Sequence, residues 1–375
     1  LDGWYTRCVG PQAAPHLARY YAHWEEFWTR RVLQSKWFSR GGQYLSFGSP
    51  GYLADVTEAE IAQCRGDLEQ TVSLAETEEQ RARAGIILRA FEYYEASALA
   101  YLAGSAGAGA IESEQDAIAA LDRTARVSDM ARRRIELATE VFPKDPVLVQ
   151  PLDLERFPLL KGQNWATGSL WALYDWVARG EGPVREKVRE LASSAPSEAV
   201  REQATLMLAL VDKKLQPLTQ NPSFEEGEGA AADGWSWWVK FETGSMARTD
   251  EVAHEGSFSV LCNGMKRGGP VQVQPITPGK YALICFVYVP EGQAAGGTAE
   301  LSMTLRDGEG NNLTSPATKI VPAAGRWTAM AIADTVPERI GDAEVKMVLP
   351  ILIVDGFQPD QKLYIDDVML CKLEQ

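Results

Sequence analysis

The sequence has few of the residues that most often ligate metals or act as nucleophiles. Its 375 residues include three histidines and five cysteines. His16 and His23 lie seven residues apart in one predicted helix, about 10 Å along its axis, which is too far to ligate one metal together. The cysteines are odd in number and contain no C-x-x-C pair, which excludes a zinc knuckle and a dense disulfide framework. They are Cys8, Cys64, Cys262, Cys285 and Cys371.

Long hydrophobic runs and common catalytic motifs are also missing from the sequence. No segment approaches the roughly eighteen apolar residues of a membrane span, and Leu1–Gly10 lacks the basic and apolar regions of a signal peptide. There is no P-loop, H-E-x-x-H, G-x-S-x-G or dinucleotide glycine motif. We therefore predict no membrane span and no catalytic residues in this chain. Because it does not begin with Met, we expect a processed or excised piece of a longer protein.

The composition and charge describe an acidic globular protein. Hydrophobic residues make up 45% and charged residues 23%, with a formal net charge of −14 and a pI near 4.9. An acidic surface repels a phosphate backbone, so we predict no nucleic-acid partner. At about 150 residues per domain, the length predicts two or three domains.

The first part of the chain has helical periodicity. Aromatic residues recur at helical spacing within Pro11–Phe38, and the capping-box patterns Thr57–Glu60 and Thr77–Gln80 begin two further helices. Two or three residues remain to connect those helices, which predicts an antiparallel hairpin. Additional helices are expected over residues 111–141, 166–179, 184–191 and 197–215. Residues 1–216 are therefore predicted to form an all-α helical bundle.

The pattern changes near Lys214–Pro222 to short alternating runs with frequent Gly and Pro. Turn residues recur about every ten positions, and Asp307–Asn311 has the Gly and Asn of a hairpin turn. This predicts that residues 221–375 form an antiparallel β-sandwich of the jelly-roll type. The fold class is thus multidomain α and β. The expected strands lie in 257–262, 281–289, 301–305, 327–332, 345–352 and 363–370.

Ordered motifs in the second part resemble the family 4/9 carbohydrate-binding modules. These motifs are Asn221-Pro222-Ser223-Phe224-Glu225, Gly234-Trp235, His254 to Ser259, Pro278 to Tyr281, Gly325-Arg326-Trp327 and Tyr364 to Val368. The first part, through Tyr5 to Gly10, Tyr20-Tyr21 and Trp24 to Trp28, resembles the helical region after the catalytic barrel in domain-of-unknown-function family 4838. Those proteins resemble α-glucuronidase-type glycoside hydrolases, and the barrel itself is not in this chain. The resemblance implies a protein that acts in the extracellular space or the periplasm.

The resemblance implies a structural calcium ion in the sandwich. In the resembling modules, the Glu after the Phe and an Asp of the closing Asp-Asp pair supply side-chain oxygens. Backbone carbonyls near the His-x-Gly-x-x-Ser segment complete the shell. Carried over, this assigns Glu225 and Asp366, with carbonyls near His254 to Ser257, as ligands. The alternative is that these acids are surface residues at strand ends.

A glycan site needs aromatic rings held outward beside polar groups. In Trp235-Ser236-Trp237-Trp238, alternation along a strand puts Trp235 and Trp237 on one face and Trp238 on the other. Since Trp235 stands at the core Gly-Trp position of the resembling modules, we expect Trp238 to be the exposed ring. Trp237 and Trp238 are the candidate carbohydrate-binding residues, and Trp327 is expected in the core. The alternative is that all four tryptophans are packing residues.

The sequence therefore predicts a non-catalytic accessory region that binds or positions polysaccharide or oligosaccharide. Its rival is an enzyme, in which the helical domain completes the active cleft of a glycoside hydrolase whose barrel is absent here. Paired acids such as Glu92 and Glu95 lie close together on one helix face and are predicted to be solvated. Glycosidases instead need two acids that face each other across a cleft.

Overall fold

The computed structural model describes residues 1–35, 38, 53, 55–105, 111–149, 170–241, 243–294 and 296–373, without the side chains of 103–105. These residues form an α-helical part followed by antiparallel β-sheets, which confirms the predicted fold class. By their contacts, they divide into two compact units. One unit is Leu1–Ser169 with Ser194–Val200, and the other is Leu170–Ser193 with Arg201–Gln375.

The described residues of the first unit include five α-helices. They are α1 (Asp2–Val9), α2 (Ala14–Glu26), α3 (Glu58–Leu74), α4 (Glu78–Ser105) and α5 (Glu114–Glu136). A five-residue π-helical turn follows α2 at Phe27–Arg31, and another follows α5 at Leu137–Val141. The expected long helix over 11–38 is therefore shorter than predicted, because its hydrogen-bonding pattern changes at Phe27.

Capping boxes start the helices where the sequence predicted them. Thr57 Oγ1 accepts a hydrogen bond from Glu60 N, and a carboxylate oxygen of Glu60 accepts one from Thr57 N at 2.9 Å. Thr77 and Gln80 make the same reciprocal pair. Three residues connect α3 to α4, which pack against each other as expected. The core of this unit contains Leu17, Phe27, Ile61, Leu68 and Phe91.

The second unit combines three helices with the sandwich. The helices are α6 (Tyr174–Ala178), α7 (Pro183–Ser194) and α8 (Glu198–Val211). The last residue of α7 and the first three residues of α8 fall in the segment Ser194–Val200 of the first unit. A five-stranded sheet has the order β10-β6-β14-β3-β2, and a seven-stranded sheet has the order β1-β4-β13-β7-β8, with β5 on β13 and β9 on β7. Strands β11 and β12 form a separate pair. The strands are β1 (Ser236–Val239), β2 (Ser245–Thr249), β3 (Ser259–Asn263), β4 (Arg267–Val271), β5 (Gln274–Pro275), β6 (Gly279–Tyr288), β7 (Thr298–Arg306), β8 (Asn312–Thr314), β9 (Ala317–Ile320), β10 (Trp327–Val336), β11 (Arg339–Ile340), β12 (Ala343–Glu344), β13 (Met347–Asp355) and β14 (Lys362–Leu373).

One hydrophobic core lies between the two large sheets. Alternate residues of β6 and β7 point into it, including Leu283, Cys285, Leu301 and Met303. The turn between β7 and β8 is the predicted one: Asp307 N donates to Asn311 O at 3.2 Å, and Gly310 has φ of 88°. Positive φ suits glycine, since it has no Cβ to clash with the backbone.

The outer face of the five-stranded sheet is also buried. Ile284 and Phe286 alternate with the core residues of β6, yet they are 0% and 2% exposed. The ring of Tyr174, in α6, lies 5.0 Å from the Phe286 ring, and Lys280 forms an ion pair with Glu202 of α8. Helices α6 and α8 therefore pack on this sheet, and the contacts place them with the sandwich instead of with the first five helices. The prediction that 221–375 is a domain by itself remains a prediction.

Candidate carbohydrate-binding surface

Strand β1 places the predicted tryptophans at the edge of the seven-stranded sheet. It pairs only with β4 among the described strands, and Trp238 lies opposite Gly269 while Trp237 lies opposite Pro270. Trp237 is half-buried and packs against the sandwich core. Trp238 has the opposite strand face by alternation. Trp238 therefore faces away from the core, but it is half-buried like Trp237 and is not the exposed ring that the sequence predicted. Its role in carbohydrate binding remains a prediction.

Trp235, just before β1, is a core residue. It is 8% exposed, its Nε1 donates to the carbonyl oxygen of Asn221 at 2.9 Å, and its ring lies 5.1 Å from that of Phe224. This indole fixes the start of β1 against the first turn of the sandwich. The orientation of Trp238 is thus set by a buried neighbour three residues away.

Gly269 leaves the position opposite Trp238 without a side chain. A Cβ at this residue would lie 1.6 Å from the carbonyl oxygen of Leu352, in the neighbouring strand β13. Because such an approach is far inside van der Waals contact, only glycine fits. In antiparallel pairs, the directly opposite residue is the closest cross-strand neighbour. The Trp238 ring therefore has no cross-strand side chain at that position to pack against.

Trp327 differs from its expected core position. It is half-buried and lies on the outer face of the five-stranded sheet, opposite Tyr288, with 5.5 Å between the two ring centroids. It also contacts the His254 ring at 5.5 Å. The alternation of β10 explains the difference, because Met330 and Ile332 take the core face and leave the odd-numbered positions outside.

The predicted calcium residues contact one loop of the sandwich, residues 254–258. Asp366 and Asp367 are 0% and 5% exposed in β14. His254 N donates to Asp366 Oδ2 at 2.7 Å, and His254 Nδ1 lies 2.6 Å from Asp367 Oδ2. The His254 ring stacks on Phe286 at 3.8 Å and 15°. The sequence did not predict this stacking, since the two residues are far apart in the chain.

Glu225, near the start of the sandwich sequence, hydrogen-bonds to the same loop. Its Oε1 accepts hydrogen bonds from Ser257 N and Phe258 N, each at 2.9 Å. A Cβ on Gly256 would lie 2.3 Å from this oxygen, and Gly256 has φ of +73°. The loop therefore needs glycine at 256 to close on the carboxylate.

The donor set fits a cation only in part. His254 and Ser257 turn N–H groups toward the acids. Among the described residues, no group of three or more His, Cys, Asp or Glu side chains could hold a metal. Glu225 Oε1 already accepts two hydrogen bonds, so a cation would have to bind through Glu225 Oε2 and the remaining lone pairs of Asp366. Burial and the neighbouring charge of Asp367 raise the pKa of Asp366 to about 8, as expected where negative charge lacks compensation. Calcium here would need Glu225 and Asp366 together with backbone carbonyl oxygens.

The acids of the helical unit form ion pairs. Glu92 lies 3.4 Å from Arg65 and 3.0 Å from Arg133, and Glu95 binds Arg65 as well. These carboxylates are therefore paired with arginines, whereas the sequence predicted that they would be solvated. In the described ranges, no helix is long and apolar enough to span a membrane.

Solved structures similar to this chain include carbohydrate-binding modules, matched over the C-terminal region. A family 16 carbohydrate-binding module is 18% identical, covers 41% of this chain and 99% of its own, and has a TM-score of 0.31. A family 61 module in complex with β-1,4-galactotriose is 18% identical over 42% and 99%, with a TM-score of 0.31. The CBM22-1 xylan-binding domain of Paenibacillus barcinonensis Xyn10C is 16% identical over 41% and 92%, with a TM-score of 0.30. No family model and no curated protein matches the chain. Both family resemblances therefore stay predictions.

Proposed function

We propose that the sandwich binds an uncharged polysaccharide through the outer face of its seven-stranded sheet, with Trp238 as the stacking ring. The position of Trp238 opposite Gly269 supports this most directly. An indole on an outer face, with no cross-strand side chain beside it, has an apolar surface available for the C–H face of a sugar ring. Trp237 contributes by holding β1 against the core.

The same sheet carries outer-face polar groups three strands away from β1, at roughly 14 Å. Strands β7 and β13 lie side by side in this sheet, and Glu300 of β7 forms an ion pair with Lys319 of β9 at 2.9 Å. Glu300 alternates with the core residues Ala299 and Leu301, so it belongs to the outer face. Although these two groups neutralise each other, the carboxylate can still accept hydrogen bonds from sugar hydroxyls, and the ammonium group can still donate to them. This combination suits a neutral ligand.

We also propose that a calcium ion stabilises the sandwich at Glu225 and Asp366. The ion would neutralise the buried pair of Asp366 and Asp367, to which His254 and Ser223 supply hydrogen bonds. Hard cations prefer carboxylate and carbonyl oxygens. Glu225 near the start of the sandwich sequence and Asp366 in its last strand would provide the carboxylates. The role of the ion is structural, and sugar binding does not depend on it in this proposal.

Affinity electrophoresis in gels containing single neutral polysaccharides tests the binding proposal. Retardation of the unmodified chain by at least one polysaccharide, reduced by Trp238→Ala, is the expected result. Phe241→Ala is a matched control, because Phe241 is 55% exposed just beyond the same strand. Equal retardation of the Trp238→Ala and unmodified chains would rule out Trp238 as the stacking ring.

A further inference from the structure

A second aromatic surface lies in the helical unit. Helix α2 with its π-helical turn forms one wall of a groove, and α4 forms the other, around about 360 Å³ of space. This volume lies within the usual range of small-ligand sites. Three small or aliphatic residues of α4 line it, Ile86, Ile87 and Ala90. The remaining six lining residues are aromatic: Tyr20, Tyr21, Trp24, Trp28, Phe91 and Tyr94.

Ring-to-ring contacts fix the shape of the groove. The Tyr20 ring lies 5.7 Å from that of Phe91, and the Trp24 ring lies 4.8 Å from that of Tyr94, both edge to face. These contacts join α2 to α4 through side chains, so the rings act as spacers between the helices. Rigid rings with few rotamers give a preformed surface, which lowers the entropic cost of binding.

The open side of the groove exposes two rings. Tyr21 is 37% exposed and Trp28 is 38% exposed. They are seven residues apart, roughly 10 Å at 1.5 Å per residue. Trp28 belongs to the π-helical turn Phe27–Arg31, and such turns occur frequently at functional sites. The groove therefore presents ring surface over a length greater than one sugar unit.

The chemistry of the lining is uncharged but not purely apolar. None of the nine lining residues carries a charge, although the whole chain has a net charge of −14. Five of the six aromatic residues have a hydroxyl or an indole N–H at the ring edge, and only Phe91 has none. Burial raises the pKa of Tyr20 and of Tyr21, so both hydroxyls stay protonated and neutral. Apolar ring faces with neutral polar edges match a sugar ring.

We propose that this aromatic groove binds an uncharged oligosaccharide, at a site independent of Trp238. Charge complementarity selects the ligand class, because a charged sugar or a charged peptide would lose hydration without gaining an ionic partner in the lining. An amphipathic helix is a poorer match, since it would bury the hydroxyls of Tyr20 and Tyr21 against aliphatic side chains. The inference does not need the sandwich to bind sugar.

Isothermal titration of the full-length Trp238→Ala chain isolates this groove from the sandwich surface. The probes are cellohexaose, xylohexaose and β-1,4-mannohexaose, with hexagalacturonic acid as a charged probe. We expect at least one neutral hexasaccharide to bind, and the added substitution Trp28→Ala to weaken it by about tenfold or more, as for a central aromatic anchor. Trp4→Ala is the control for a neighbouring exposed ring, because Trp4 is 47% exposed and does not line the groove, although its ring lies 5.9 Å from that of Tyr21.

Two milder variants keep the test valid if Trp28→Ala fails to fold. Trp28→Tyr keeps a ring and should retain most of the affinity, whereas Tyr21→Phe removes one hydroxyl and should lower it. The proposal is overturned if no neutral hexasaccharide binds the Trp238→Ala chain, if Trp28→Ala and Trp4→Ala bind equally, or if hexagalacturonic acid binds as tightly. If no saccharide binds but the apolar dye ANS binds in a way that depends on Trp28, the proposal is also overturned, and the groove would instead bind an apolar partner.

Discussion

Trp238 and Gly269 lie directly opposite each other in the antiparallel pair of β1 and β4, at the edge of the seven-stranded sheet. Only glycine fits at position 269, because the carbonyl oxygen of Leu352 in β13 approaches its Cα closely. A larger residue at 269 would displace β13. Because the residue is glycine, β4 has no side chain at this position to pack beside the Trp238 indole. A packing constraint within the sheet thus removes one side chain from beside this half-buried ring.

Removal of calcium should destabilise the sandwich. At a hundredfold excess over Kd, a ligand that binds only the folded state stabilises it by about 2.7 kcal/mol, so EDTA should lower the melting temperature and added Ca²⁺ should restore it. Glu225→Gln and Asp366→Asn should each reduce this response, whereas Glu338→Gln, at an exposed site, should not. A melting temperature that EDTA leaves unchanged would contradict the calcium proposal.

The capping box of α3 should make the helical unit sensitive to acid. Burial of Glu60 raises its pKa, but hydrogen bonds from Arg31 and Thr57 outweigh this effect and lower the pKa overall. An acid with a lowered pKa in the folded state stabilises the fold above its unfolded value of about 4.5, and the stabilisation is lost as the pH falls through the folded value. The melting temperature of Glu60→Gln should therefore depend less on pH between 3 and 6.

Glu69→Gln serves as the control for this prediction, since Glu69 is 58% exposed in the same helix. It should keep the acid sensitivity of the unmodified chain. If the melting temperatures of Glu60→Gln and the unmodified chain depend on pH in the same way, the capping box of α3 does not cause the acid sensitivity.

Two Gly→Ala substitutions should change stability in opposite directions. Gly256→Ala places a Cβ 2.3 Å from Glu225 Oε1 at a φ of +73°, so it should cost about 1–3 kcal/mol through strain. Gly66→Ala lies within α3 with no atom within 4 Å of its Cβ, so it should stabilise by about 0.5–1 kcal/mol. Urea unfolding of both variants measures the difference. A neutral Gly256→Ala would mean that the loop does not close on Glu225.

The sandwich should need its helices for solubility. A fragment of residues 221–375 would expose the buried outer face of β6 at Ile284 and Phe286, whereas one of residues 170–375 would keep α6 and α8 on it. We expect the shorter fragment to aggregate and the longer one to remain monomeric by size-exclusion chromatography. A soluble 221–375 fragment with a cooperative thermal transition would instead favour the boundary predicted from sequence.

The sequence predicted most of what depends on local patterns. Alternation located the main strands, and both capping boxes formed as expected. Trp238, which was expected to be exposed, is half-buried. What it missed depends on distant partners. Nothing near His254 indicates that its ring would stack on Phe286, and an amphipathic stripe on α6 does not tell which surface will cover it. The π-helical turn at Phe27–Arg31 was also missed, because its residues fit an α-helical pattern equally well.

The most direct test of the central claim is calorimetric titration of the sandwich site alone, in a chain where Trp28→Ala has disabled the helical groove. The titrant is the neutral polysaccharide that retards the protein most strongly. Adding Trp238→Ala should weaken binding by about tenfold or more, with a smaller loss of stability than Trp237→Ala, which removes a ring packed against the core. Unchanged affinity of a folded Trp238→Ala chain would contradict the account.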